Sequence, residues 1–233
     1  MYHSINFFNT YSSKNTYDDW KLIPSKRPVI TPPDVKTTYV DIPGSNGQLD
    51  LSEVVSKRPV YNQRKGSFTF KVLNDYPGYK GWVDVYQTIM NYLHGKNMKM
   101  ILEDDAKYYY EGRFTVKSWS SDKDYSSINI DYNVDPFKYS VVPFSNTYSF
   151  TTSRNVTLTE DQTGNATIVP TFVVSATTGQ IAIKCTNSIG TVVNKNFYSG
   201  TYTDKDYQFT GGNTTIEFSG NGSVTVIFTE GRL

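Results

Sequence analysis

The sequence has very few of the residues on which thiol, imidazole and metal chemistry depend. Its 233 residues include one cysteine, Cys185, and two histidines, His3 and His94. A single cysteine excludes an intramolecular disulfide and a multi-cysteine zinc site. Cys185 falls on the inward positions of an alternating segment, which is typical of a small buried hydrophobe. Both histidines are interpreted as ordinary surface residues, because the sequence marks no second catalytic group for either.

The chain also lacks a charge imbalance and a long apolar run. It carries 23 Lys and Arg against 22 Asp and Glu, a formal net charge of +1. A protein that grips nucleic acid through its phosphates usually has a clear basic excess, so sequence-specific nucleic-acid binding is not expected. No stretch approaches the roughly 18 apolar residues of a membrane span, and residues 1–10 do not resemble a secretory signal. We therefore expect a soluble protein that is made in a cytoplasm.

Charge is distributed along the chain in a way that indicates two domains. Residues 1–140 hold 18 Lys and Arg and 16 Asp and Glu, whereas residues 141–233 hold only 5 and 6. The second stretch is instead rich in Thr, Ser, Asn and Gly. This contrast predicts domains at 1–140 and 141–233. The 19 tyrosines and 13 phenylalanines favour β-structure and interaction surfaces throughout.

The first domain is expected to be β-structure with one helix. Apolar and polar residues alternate over residues 67–72 and 128–135, which is the pattern of a strand with one wet face. Further strands are predicted at residues 37–42, 98–103 and 113–118. Apolar residues recur at helical spacing over residues 82–94, with Asp84 in the first turn. The pattern therefore predicts a β domain with a single helix.

The second domain is expected to be β throughout. Short alternating segments separated by turn residues are typical of a β-sandwich. The predicted strands are residues 168–175, 180–186, 191–197, 214–219 and 223–229. Asn221 and Gly222 stand between the last two, and an Asn-Gly pair in this position predicts a hairpin.

A search for chemistry finds only weak candidates. Glu103, Asp104 and Asp105 are consecutive acids, as Asp204 and Asp206 nearly are, and either set could coordinate calcium. Neither matches the spacing of an EF-hand, so both are interpreted as solvated turns, and no metal or cofactor is expected. The run of three tyrosines at 108–110 is interpreted as divided between the core and the surface of one strand. The alternative is that it stacks on sugar rings.

One segment resembles the N-terminal signature of bacteriophage distal tail proteins. In that family a short strand enters a Pro-Gly-x-x-Gly turn that is followed by Leu-Asp-Leu. The matching residues here are Pro43, Gly44, Gly47, Leu49 and Asp50. Residues 64–70, the predicted helix and residues 111–114 resemble the following parts of the family in order. Residues 214–226 resemble the last hairpin of its galectin-like domain.

The resemblance implies a structural role rather than an enzymatic one. In that family the N-terminal domain is a barrel-like or curved β-sheet structure with one helix. Six N-terminal domains form a hexameric ring, which joins the major tail tube protein to the tail-associated baseplate protein. A C-terminal galectin-like sandwich projects outward and docks receptor-binding proteins in some phages. The chain would then be made in the host bacterial cytoplasm and used at the tail tip of the virion. The sequence does not separate a phage from a tailocin or a defective prophage.

Two other functions stay open at this point. A carbohydrate-binding module for host-surface adhesion would present Tyr198, Tyr202 and Tyr207 together on one exposed face. A hydrolase would need two carboxylates with perturbed pKa values facing each other across a cleft.

Overall fold

The computed structural model describes residues 2–73, 81–122 and 125–233 of the chain. It divides into two compact units, which we call unit 1 (Met1–Lys138) and unit 2 (Tyr139–Leu233). The composition of the sequence had placed the division between residues 140 and 141. Each unit has its own set of buried apolar side chains.

Unit 1 is an antiparallel sheet with one helix. Its strands are β1 (Ile5–Phe8), β2 (Ser13–Asn15), β3 (Ile23–Pro24), β4 (Tyr39–Asp41), β5 (Gln48–Asp50), β6 (Arg64–Leu73), β7 (Lys96–Leu102), β8 (Tyr108–Ser121) and β9 (Tyr125–Val134), and its helix is α1 (Trp82–Leu93). The strand order in the sheet is β2-β1-β7-β8-β9-β6-β3. Within the described ranges, the strands β4 and β5 pair only with each other and form a separate hairpin.

The central strands of this sheet have one buried and one wet face, as the alternation predicted. On β6, Phe68 and Phe70 are buried in the core, whereas the intervening Thr69 is exposed. On the wet face, the Thr69 hydroxyl donates to Asn129 Oδ1 at 2.7 Å, and the Asn129 amide donates to Ser118 Oγ at 2.9 Å. Short polar side chains therefore satisfy one another across three adjacent strands.

The helix α1 confirms the prediction made for residues 82–94. It buries Trp82, Ile89 and Leu93 against the core, carries Asp84 in its first turn and ends with His94 as its C-cap. Among the described residues, no helix has the length and apolar character needed to cross a membrane.

Unit 2 is a β-sandwich of two four-stranded antiparallel sheets. Its strands are β11 (Phe144–Phe150), β12 (Ser153–Leu158), β13 (Thr171–Ala176), β14 (Ile181–Thr186), β15 (Val192–Phe197), β16 (Gly200–Thr203), β17 (Thr214–Ser219), β18 (Gly222–Phe228) and β19 (Gly231–Arg232), preceded by β10 (Lys138–Ser140) at the division, and a short helix α2 spans Glu160–Thr163. One sheet has the order β11-β18-β13-β16 and the other β12-β17-β14-β15. The inner faces bury large rings that include Phe172, Phe209 and Phe218.

The hairpin predicted at Asn221 and Gly222 is wrong. The strands β17 and β18 on either side of this turn do not pair with each other. β17 pairs with β12 and β14 in one sheet, and β18 pairs with β11 and β13 in the other. The short turn thus carries the chain from one layer of the sandwich to the other. Local sequence cannot distinguish the two outcomes, because both need a tight glycine turn between alternating strands.

Candidate functional site

The five residues that carry the family resemblance lie together in the separate hairpin of unit 1. The strands β4 and β5 pair Tyr39 with Asp50, Val40 with Leu49 and Asp41 with Gln48. Pro43, Gly44 and Gly47 form the connecting loop, where the two glycines have φ values of 80° and 81°. Positive φ is unfavourable for residues with a Cβ, which explains the glycines at these positions. We call residues 37–56, which comprise the hairpin and the turns that follow it, the arm.

The arm is anchored at its base by a few backbone contacts. Val35 forms an isolated bridge with Tyr61, and the Lys36 amide donates to the Val60 carbonyl at 2.7 Å. Inside the arm, the Ser52 amide donates to an Asp50 carboxylate oxygen at 2.9 Å. Hydrogen bonds from Ser52 hold the pKa of Asp50 below its ordinary value, so this carboxylate stays ionised at neutral pH. The base therefore fixes the arm to unit 1.

Beyond its base the arm is not covered by any other part of the chain that the structure describes. Every residue from 34 to 50 is exposed. The large apolar side chains that it leaves in solvent are Tyr39, Val40, Ile42, Leu49, Val54 and Val55. Val55 is the extreme case at 95% exposure. An isolated two-stranded hairpin is only marginally stable in water, and clustered exposed apolar residues usually mark an interaction surface.

A second apolar surface on unit 1 had no signal in the sequence. Trp119, near the end of β8, is 45% exposed, and its ring centroid lies 5.0 Å from that of Tyr86 on α1. Val83, one turn earlier on the helix, is 68% exposed. Trp119 lies outside every strand predicted from the sequence, since the alternation in that region ends near residue 118.

The three tyrosines proposed to contact glycans do not share an exposed face. Tyr198 is 63% exposed and Tyr202 is partly covered, with its ring packed 4.7 Å from that of Phe197. Tyr207 is fully buried in the core of unit 2, where its hydroxyl donates to the Ile183 carbonyl at 2.6 Å. Tyr207 is therefore corrected from a possible sugar contact to a core residue, because a ring without accessible surface cannot stack on a sugar.

The tyrosine run at residues 108–110 is divided between core and surface, as expected. Tyr110 is buried, whereas Tyr108 and Tyr109 are partly exposed. Lysine ammonium groups cover both outer rings, Lys138 at 4.6 Å from the Tyr108 centroid and Lys99 at 4.4 Å from the Tyr109 centroid. Each of these cation–π contacts occupies one face of a ring on which a sugar could otherwise stack.

The acidic cluster that begins at Glu103 is tied to cations and donors of unit 1. The Asp104 carboxylate accepts hydrogen bonds from Arg27 at 2.8 Å and from His3 at 2.9 Å. The hydrogen bond from Arg27 is the main cause that lowers the pKa of Asp104. Asp105 pairs with Lys138 at 2.6 Å. These carboxylates join distant segments of unit 1, which is a structural role.

In unit 2, Lys195 sits between the other two acidic candidates. Its ammonium lies 2.5 Å from Asp204 and 2.6 Å from Asp206. The same hydrogen bonds raise the pKa of Lys195 and lower that of Asp204. Among the described residues there is no group of three or more His, Cys, Asp or Glu side chains placed to hold a metal ion.

Cys185 lies on β14 with its side chain in the core of unit 2. It is 3% exposed, and burial raises the pKa of its thiol to about 12. The thiolate is the reactive form, so at neutral pH this cysteine behaves as a small hydrophobe, as the alternation predicted.

Comparisons with known proteins identify the fold. No family model matches the sequence, and no curated protein matches it. Among solved structures, the chain is similar to the Dit protein (gp 19.1) of phage SPP1, which is described as a paradigm of the hub adsorption apparatus in phages that infect Gram-positive bacteria. The similarity has a TM-score of 0.67, covers 99% of both chains and holds at 15% sequence identity. The chain is thus a mainly β protein with the fold of a phage hub protein, and the resemblance found in its sequence agrees with that fold.

Proposed function

We propose that this chain is a structural subunit of a bacteriophage tail tip or baseplate. The observation that carries the proposal is the agreement in fold with the SPP1 Dit protein over 99% of both chains. Agreement over both units together is more informative than a match to one β-sandwich, since sandwiches serve many unrelated functions.

The exposed arm supports an assembly role for unit 1. A monomer gains nothing from apolar side chains in solvent at the end of a hairpin, whereas a subunit of a closed ring buries them against a neighbour. We propose a homo-hexameric ring that joins the major tail tube protein to the tail-associated baseplate protein. Unit 2, as a galectin-like sandwich, would project outward and dock receptor-binding proteins.

The alternative role in carbohydrate binding loses its main structural requirement. It needed Tyr198, Tyr202 and Tyr207 on one exposed face, and Tyr207 is buried. An enzymatic role has no support from the fold comparison, because the similar protein is a hub component.

The ring can be tested by measuring molar mass with light scattering after gel filtration, over a range of protein concentrations. We expect a species near six times the chain mass of 26.4 kDa. A variant in which a short Gly-Ser linker replaces residues 39–50 should stay monomeric. Because those residues are all exposed, its thermal midpoint should match that of the intact chain to within a few degrees. A chain that stays monomeric at every concentration would contradict the ring.

A further inference from the structure

The arm is acidic as well as apolar. Residues 37–56 contain Asp41, Asp50 and Glu53 but no Lys, Arg or His. All three carboxylates are exposed, and none of them forms a salt bridge within the described part of the chain. The arm therefore presents three carboxylates without an ion-pair partner in the described part of the chain, beside its apolar side chains.

A groove elsewhere on unit 1 has the opposite charge. It runs along β6 between residues 24–29 and the β6 side chains Ser67, Phe68, Thr69 and Lys71, with a volume of about 540 Å³. Its lining includes three cations, Lys26, Arg27 and Lys71, and no carboxylate. We call it the β6 groove.

Two of these three cations have no acidic partner among the residues that the structure describes. Lys26 is exposed and forms no salt bridge among the described residues, and the Lys71 ammonium lies 4.4 Å above the ring of Tyr125. Arg27 pairs with Asp104, yet its side chain remains 66% exposed. Within the described part of unit 1, the groove lining thus keeps a net positive charge, since only one of its three cations has an acidic partner.

The groove also has the apolar character that the arm requires. Pro24 and Phe68 contribute to its lining, and Val29 at its border is 68% exposed. A neighbouring groove along the same strand is also mainly basic, with Lys36, Arg64 and Lys65 against the single acid Asp34. The near-neutral charge of the whole chain therefore conceals an acidic arm and a basic strip along β6.

We propose that the arm of one copy docks in the β6 groove of a second copy. This inference rests on the ring of the proposed function and names the surface that receives the arm. Three exposed carboxylates meet a site with three cations, and apolar side chains from both partners are covered at the same time. Because donor and acceptor surfaces differ, each copy offers an arm to one neighbour and a groove to the next. Such a head-to-tail contact closes into a ring when its rotation permits.

A charge-reversal series tests the contact while leaving the folded core intact. The groove variant is Lys26→Glu with Lys71→Glu, and the arm variant is Asp41→Lys with Glu53→Lys. A third chain combines all four changes. Asp50 is left unchanged because it accepts the hydrogen bond of the Ser52 amide, and Arg27 because it pairs with Asp104. The substituted Asp41 and Lys71 each lose one side-chain contact, with Gln48 and with the ring of Tyr125. The matched control, Lys107→Glu with Lys205→Glu, alters two exposed lysines outside the groove.

The readout is the association constant from concentration-dependent light scattering at low salt. We expect the groove and arm variants each to associate roughly tenfold more weakly or worse, since each replaces attraction by like-charge repulsion. The four-change chain should recover to within about threefold of the original, and the control should stay within about twofold. Association of the original chain should weaken as salt rises, because exposed charges are screened.

The possible results separate this inference from the proposed function. Suppose that the original chain assembles, that the variant with the Gly-Ser linker in place of residues 39–50 does not, and that the groove variant assembles normally. The groove is then not the surface that receives the arm, whereas the proposed ring still stands. If the four-change chain does not regain association while the groove variant and the arm variant are both folded, the proposed charge pairing is wrong. If the original chain never assembles, the ring fails and this inference fails with it.

Discussion

Tyr207 shows at the scale of one residue how burial changes the meaning of an aromatic side chain. From the sequence it belongs to a group of tyrosines near turns, where sugar binding is a reasonable expectation. In the structure its ring packs against Phe172 and its hydroxyl reaches the carbonyl of Ile183. The segment around Tyr207 has no regular alternation, so the sequence held no indication of which way this side chain points.

Replacing Tyr207 with Phe should therefore affect stability rather than ligand binding. The change removes one buried hydrogen bond while keeping the ring, and we expect it to lower the free energy of unfolding by about 1 kcal/mol. Urea unfolding measured by fluorescence would give this value. Tyr198→Phe is the matched control, since Tyr198 is 63% exposed and should show no measurable loss. Equal losses in both variants would count against the buried hydrogen bond.

Gly222, at the turn between β17 and β18, is a position where the structure leaves no room for a side chain. Its φ is 148°, and a Cβ added there would lie 2.1 Å from the Ser175 carbonyl oxygen. Because that oxygen belongs to the backbone of the paired strand β13, it cannot move aside cheaply.

We expect Gly222→Ala to lower the free energy of unfolding by at least about 2 kcal/mol, through backbone strain and the clash together. The control Gly190→Ala has a positive φ of 82° but meets nothing within 4 Å. It should cost only about 1 kcal/mol, from strain alone. Chemical denaturation of both variants measures the difference, and equal costs would contradict the close contact.

At the scale of helices and strands, the periodicity of apolar residues predicted those elements that bury one face. Where a strand or helix has one buried face, the pattern appears in the sequence, as on β6, β9, α1 and β14. The prediction for residues 113–118 found only the middle of β8, which runs from Tyr108 to Ser121. Its first part is a tyrosine run and its last part is exposed, so neither end alternates.

Other elements were missed because they are short or mostly exposed, so that pairing with their neighbours defines them more than their own pattern does. β11 has mostly exposed residues, and its register is set by β18, with Phe144 opposite Phe228. β1 is a four-residue strand fixed by pairing with β2 and β7. The short helix α2 did leave a local signal, since Thr159 and Gln162 form a capping box at its start. Only that last element was within reach of sequence reasoning.

The sequence predicted where the candidate site lies, but not that it is exposed or which surface it could contact. The motif from Pro43 to Asp50 located the arm through family resemblance. Its exposure, and the basic groove that we propose as its partner, depend on how residues 24–29 lie beside β6. Side chains so distant in sequence share a surface only after folding.

For the whole molecule, the two separate cores predict that unit 2 folds without unit 1. The buried rings of its sandwich, among them Phe172, Phe209 and Phe218, all belong to residues 139–233. A fragment with these residues should unfold cooperatively in urea and give a dispersed amide NMR spectrum. A collapsed spectrum without a cooperative transition would show that the sandwich needs unit 1.

The position of β18 in unit 2 has a consequence for the timing of folding. It is the last long strand of the chain, yet it lies inside its sheet and pairs with β11 on one side and β13 on the other. Neither of those strands can complete its ladder until β18 has been synthesised. During translation, the first half of the sandwich must therefore wait with open strand edges, and pairing over such long sequence separations is slow. Unpaired strand edges favour aggregation, so nascent unit 2 is at risk of intermolecular strand pairing until β18 has been made.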